Sequence, residues 1–259
     1  MSHPSRFFSE TNSIKPKKTV EGNIKLLPDF FSSVHMKDFT RAKELFDMIN
    51  VVPVRPMTKR KNMLTAMLSL CENADQLEYA QKLRNDLNSE GFQATESDFL
   101  PLIRCACDKG DIGLAKSYIE EIVKGDFIVR HRDTLPILQA TVASGSTVKT
   151  SYDALDECFN MKTYNLCPRS LELELVLASG VQTGAIKEEV FLSKLSTLLS
   201  TMNSTYCAID HVSALRLHQA VLDGTIASED SKSINLITKV FKEGILVAKP
   251  DDITGQVRH

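Results

Sequence analysis

The chain has 259 residues, enough for one domain with its own core or for two small ones. Apolar residues make up 42% and charged residues 25%, with aromatics at 7%, no tryptophan, 11 glycines and 9 prolines; this excludes collagen-like and low-complexity chains and argues against a β-sandwich or barrel core. The formal charge of −2 counts against tight non-specific nucleic-acid binding, but residues 1–61 carry 12 Lys/Arg against 6 Asp/Glu, so a local basic surface stays open.

In chain order, residues 1–21 are rich in Ser, Lys and Pro and read as a disordered, solvated tail. Arg6, Lys15, Lys17 and Lys18 among serines also suit an organellar targeting peptide, against which stand Glu10, Pro16 and Glu21. No stretch approaches eighteen uncharged apolar residues, so the expectation is an intracellular protein without a membrane partner, in mitochondrion or nucleus. Six cysteines in a chain this long make no dense disulfide framework and are expected as reduced thiols.

From about Asn23 onward, apolar residues recur at three- and four-residue spacings with short breaks, which predicts helical hairpins and no strands. Four second helices line up: they begin at Phe39, Leu77, Ile112 and Tyr152, each with an alanine in the fourth place, namely Ala42, Ala80, Ala115 and Ala154. Seven residues after each alanine stands Ile49, Leu87, Ile122 or Met161. Two turns separate the members of each pair, so both face one side, where the small residue admits a neighbouring helix and the larger one fills the next layer. The alanines are 38, 35 and 39 residues apart, the length of two helices with two turns.

Turn residues fall where this requires them: Asn73 to Asp75, Lys109-Gly110-Asp111 and Gly145-Ser146 within hairpins, Pro53/Pro56, Glu90-Gly91 and Cys167-Pro168 after them. A hairpin cannot bury its apolar side alone, so the units stack. A fifth pair, Arg169 to Val181 and Lys187 to Met202, lacks the alanine and reads as a diverged or capping repeat. The methionines Met36, Met48, Met57, Met63 and Met67 are expected in packing between helices. Residues 22–202 thus form an all-α domain of about five helical hairpins, and 203–259 a helical C-terminal extension.

Two repeat families build such hairpins, and the third unit separates them. The segment SDFLPLIRCACDKGDIGLAKSYIEEI, Ser97 to Ile122, resembles a pentatricopeptide repeat, with a Cys/Ala-rich end of the first helix, a Lys-Gly-Asp turn and an xxLA second helix. A tetratricopeptide repeat favours bulkier residues there. RHRDTLPILQATVASG from Arg130 and LCPRSLELELVLASGV from Leu166 are similar to the third-to-fifth repeat region of protein-only ribonuclease P, which removes tRNA 5′ leaders. The resemblance covers about Asn23 to Leu199 and continues weakly to 224. It implies a right-handed α-α superhelix and RNA, a tRNA precursor, as partner.

The resemblance also implies that the first helices carry the RNA-facing residues, one near the start of each helix and one before each repeat. Counting back from the alanines puts the first kind at Leu27, Thr65 and Leu100, with Leu135 aligned by similarity; the second kind falls at Arg60, Thr95 and Arg130. Leucine cannot hydrogen-bond a base edge, which favours recognition of folded RNA over a one-repeat-one-base code. Candidate RNA contacts are therefore Lys59, Arg60, Lys61 and Thr65 in the second unit, Thr95 and Arg104 in the third, and Arg130, His131 and Arg132 at the start of the fourth. Guanidinium groups suit phosphate forks and base stacking, although cations at inter-helix turns are often merely solvated.

Catalytic, metal and cofactor residues are not assigned. The family's zinc-bound central module and aspartate-rich metallonuclease have no counterpart in the sequence: 36 residues follow Asp223, and the acid pairs Glu229-Asp230 and Asp251-Asp252 lack long-range partners. Cys105 and Cys107 are two apart and point to different sides of a helix, while Cys207, His211 and His218 share a helix face but lack a fourth ligand. Phosphate-cradling glycine loops are absent. Three readings follow: an RNA-binding protein of tRNA 5′ processing, working with a nuclease subunit; a fragment of a complete metal-dependent ribonuclease P; or a protein-binding scaffold, which the acidic 62–259 segment favours.

Overall fold

The apolar spacing closes into helices throughout. In the computed structural model, the described residues 17–50, 57–93 and 95–204 hold ten α-helices and short 3-10 turns, with no strand among them. In chain order the helices are α1 (Lys17–His35), α2 (Phe39–Asn50), α3 (Met57–Ser69), α4 (Leu77–Ser89), α5 (Leu100–Asp108), α6 (Ile112–Lys124), α7 (His131–Ala143), α8 (Val148–Asn160), α9 (Ser170–Thr183) and α10 (Glu189–Ser204), with α1 packed on α2, α5 on α6 and α7 on α8 as hairpins.

The second helices of the first three units begin at Phe39, Leu77 and Ile112, where the sequence places them. The fourth begins four residues ahead of Tyr152, because the Thr147 hydroxyl accepts the Thr150 N–H at 3.4 Å and caps the helix there. Helix α1 likewise starts at Lys17, so residues 17–21 belong to a helix rather than to the tail. In sequence they directly follow Pro16, a residue that favours the first helical turn.

All four alanines are fully buried, and Ile49, Leu87, Ile122 and Met161 are no more than 3% exposed. The register read from the sequence is therefore the register of packing. In the fifth pair a different small residue admits the neighbour: the Phe191 ring of α10 sits where a Cβ on Gly180 of α9 would come within 3.0 Å of it. Gly110 adopts φ +78° in the Lys-Gly-Asp turn, a conformation that a side chain would strain, and the Asp111 carboxylate then caps α6 by accepting the Leu114 N–H at 2.9 Å.

The chain divides into two compact units. The first comprises residues 1–70 and 82–93; in its described part α1 packs on α2 and α2 on α3. Phe30 is fully buried there, with Phe46 6.1 Å away between ring centroids. The second comprises residues 71–81 and 94–259; α5 packs on α6 and α7, α7 on α8 and α9, and α8 on α9 and α10. The leading helices α5, α7 and α9 thus follow one another within this unit. An apolar cluster in it joins Leu138, Leu155, Val176, Leu192 and their neighbours from α7 to α10.

Met63 and Met67 are fully buried, as expected, but Met36 and Met48 are 75% and 53% exposed. Met36 falls in the turn after α1, and Met48 lies off the Ala42–Leu45–Phe46–Ile49 stripe that α2 buries. Cys71, Cys105, Cys107, Cys158 and Cys167 form no disulfide. Burial pushes Cys71, Cys105 and Cys107 up to about 12, so these sulfurs are packing atoms and not thiolates at neutral pH. Cys207, His211 and His218, and the proposed 203–259 extension beyond Ser204, lie outside the described residues.

Candidate nucleic-acid interface

Each leading helix of the second unit opens with the same local device. A carboxylate in the first turn accepts the backbone N–H three residues before it: Thr95 to Asp98 at 2.7 Å, Arg130 to Asp133 at 2.9 Å, Arg169 to Glu172 at 3.1 Å. This half of a capping box satisfies an N–H that the helix end leaves open, and it fixes how the preceding residue leaves the backbone. The acids are spaced like the alanines, by 35 and 39 residues. The repeated spacing makes this device visible in the sequence once the alanines are aligned.

Fixing the backbone there brings charges together between successive repeats. Glu96 meets two arginines of the next repeat: it accepts from Arg132 Nη2 at 2.5 Å on Oε1, and its Oε2 forms an ion pair with Arg130 Nε at 3.1 Å. The Glu96 side chain is 12% exposed, against 56% for Arg130 and 42% for Arg132. One repeat on, His131 Nδ1 lies 3.1 Å from Glu172 Oε1, which also accepts from Arg169 at 3.0 Å. Glu172 is fully buried. Burial pulls its carboxyl upward, but the bonds from Arg169 and its own backbone N–H, with the charges of Arg169 and His131, outweigh this and hold it below the ordinary value.

Asp133 behaves oppositely. It is fully buried, and desolvation raises its carboxyl above the ordinary value against the Arg130 N–H; the Glu96 charge adds to the rise, while Arg132 and Arg130 oppose it. Its Oδ1 finds no hydrogen-bond partner, the closest charge being Arg132 Nε at 3.8 Å.

The other sequence-derived candidates divide by what they touch. Arg60 is a staple of the first unit: Nε and Nη2 hold Glu90 in a fork at 3.0 and 2.8 Å, Nη1 reaches Asn50, and the guanidinium lies 5.7 Å from the Phe46 ring centroid. With 17% of its side chain exposed it has little surface for a ligand. Its neighbours on α3 are more open, Lys59 exposed and Lys61 and Thr65 half-buried one turn apart. In the second unit Arg104 pairs with Glu72 at 3.0 Å, both side chains 43% exposed. Thr95 is exposed, and its hydroxyl donates to Asp98 at 2.9 Å.

Leu100 and Leu135, at the expected RNA-facing positions of α5 and α7, are half-buried like Thr65, whereas Leu27 is buried. The second unit thus brings Thr95, Arg130 and Arg132 to one place around Glu96, with Leu100 and Leu135 on the helices that follow. Arg60 is committed to the fold. Sequence reasoning missed Glu96, Glu90 and Glu172, the acids that hold these cations.

No helix among the described residues is long and apolar enough to cross a membrane. No sequence-family profile and no curated protein sequence matches the chain. Solved structures do. The crystal structure of nuclear proteinaceous RNase P 2 from A. thaliana superposes with a TM-score of 0.52 at 20% identity, over 70% of this chain and 38% of that one. A second structure, Arabidopsis thaliana nuclear protein-only RNase P 2, gives 0.53 at 17% identity over 85% and 42%. The chain therefore has the pentatricopeptide-type helical-repeat fold of these proteins and spans about two fifths of their length.

Proposed function

We propose that this protein binds RNA, recognising folded precursor tRNA as the helical-repeat part of a protein-only ribonuclease P-like system in tRNA 5′ processing. The observation that carries the reading is the Arg130–Arg132 pair, exposed where one leading helix follows another, in a fold shared with proteins named as ribonuclease P. Arg104 is a further candidate in the same unit, Thr95 lies beside Glu96, and Lys59, Lys61 and Thr65 are separate candidates in the first unit. Leucines at Leu100 and Leu135 offer no hydrogen bond to a base edge, which supports recognition of shape and phosphate over sequence. Cutting is assigned to a metallonuclease, joined to this chain or supplied by a partner subunit, and the work to mitochondrion or nucleus.

Gel shifts with precursor tRNA, mature tRNA and an unstructured RNA of equal length test this. The expected order is precursor or mature tRNA bound tightly and unstructured RNA weakly. Equal binding of all three, micromolar or weaker, rejects it. The carboxylates on Arg60, Arg104, Arg130 and Arg132 favour a second reading, a protein-binding scaffold, which that negative result would leave standing.

A further inference from the structure

We propose that Glu96 is an internal stand-in for phosphate: its carboxylate occupies a two-arginine site, made by Arg130 and Arg132, that an RNA phosphodiester takes over. The inference rests on the RNA-binding reading above and adds a regulating contact to it.

The geometry supplies the argument. Each carboxylate oxygen of Glu96 faces one arginine, Oε1 at 2.5 Å from Arg132 and Oε2 at 3.1 Å from Arg130. The two non-bridging oxygens of a phosphodiester present the same two-acceptor fork. Each guanidinium carries five N–H donors, and the contact with Glu96 uses few of them, so both keep donors for a second anion as it arrives. Arrival is from solvent, because the arginines are 56% and 42% exposed while Glu96 beneath them is 12% exposed.

Arg132 has one other acid nearby, Asp133, at 3.8 Å and without a hydrogen bond from it, so that contact does not compete for the fork. The arginine ends of both pairs stand in solvent, where their attraction to any one anion is weakened and a second anion can compete for them. Glu96 begins the 3-10 turn Glu96–Asp98 that leads into α5, whereas the arginines open α7. Release of Glu96 therefore also loosens a tie between consecutive repeats.

The test uses the full chain and fluorescence anisotropy with precursor tRNA across a salt series. Glu96→Gln keeps the size of the side chain and removes the competing charge. It should bind roughly three- to tenfold tighter than wild type and steepen the log–log salt slope by about one, and adding Arg130→Gln and Arg132→Gln should erase the gain. Wild-type binding with no gain in Glu96→Gln overturns the stand-in while leaving the RNA-binding reading intact; absence of binding by both proteins overturns the two together.

Should Glu96→Gln melt at lower temperature, Arg132→Gln in the otherwise wild-type chain decides. Weaker binding with a slope flattened by about one supports the site, and unchanged binding overturns it.

Discussion

At the scale of single residues, the arginines of this protein sort by what holds them. Arg60 is bound in a fork by Glu90, touches Asn50 and stacks near Phe46, all within one unit. Arg60→Ala should therefore cost about 1–3 kcal/mol in urea unfolding, since it leaves the half-buried Glu90 without its partner. Arg60→Lys should recover part of that, because a point charge cannot make the fork. A loss in RNA affinity without a loss in stability would contradict this assignment.

The two buried acids respond to pH with opposite sign. Asp133 is raised above 3.8, so the folded state holds its proton to higher pH than the unfolded chain, and the contribution to stability falls as pH rises through that window. Glu172 is held below 4.5, so its contribution is present above that value and is lost as pH falls through the folded value. Urea midpoints measured from about pH 3 to 7 should show Asp133→Asn gaining on wild type as pH rises, and Glu172→Gln losing to wild type at neutral pH but converging with it in acid. Curves parallel to wild type in both variants would refute the assignment.

At the scale of helices, the repeat is defined by small residues at close approaches. Ala115 and Ala154 are fully buried, and leucine there should overpack, costing about 1–3 kcal/mol and lowering the melting temperature. The same change at exposed Ala178 of α9 should do little; equal loss at both positions would show that the alanines are not the packing contacts. This ladder was legible because a small residue recurs at one spacing, and it placed three of four second-helix starts. The fourth was hidden: Gly145-Ser146 marks the turn, but the cap that starts α8 is the hydroxyl of Thr147.

The site was legible only in half. Arg130 and Arg132 follow from repeat spacing, whereas their partner does not, because Glu96 lies 36 residues before Arg132 and Glu172 lies 41 after His131. Pairs separated by about one repeat depend on how helices stack. Alignment of Thr95–Asp98, Arg130–Asp133 and Arg169–Glu172 at the alanine spacing was the available signal, since it marks where each leading helix starts.

At the scale of the whole chain, charge and fold pull in different directions. The sum is −2, so the proposed association with RNA would have to rest on a few placed cations and not on bulk attraction. The described cations reinforce this, since Arg104, Arg130 and Arg132 each face a carboxylate. Affinity should consequently be modest, steep in salt and sensitive to single arginines. The fold supplies the order: leading helices α5, α7 and α9 in succession, with Arg130 and Arg132 at the opening of α7 and Arg104 within α5.

Photocrosslinking of precursor tRNA to the intact chain, followed by identification of the labelled peptides, examines that arrangement most directly. Labels are predicted at the openings of leading helices, on peptides spanning residues 59–65, 95–104 and 130–135. Labels confined to α6, α8 and α10, or none above the level given by unstructured RNA, would contradict it.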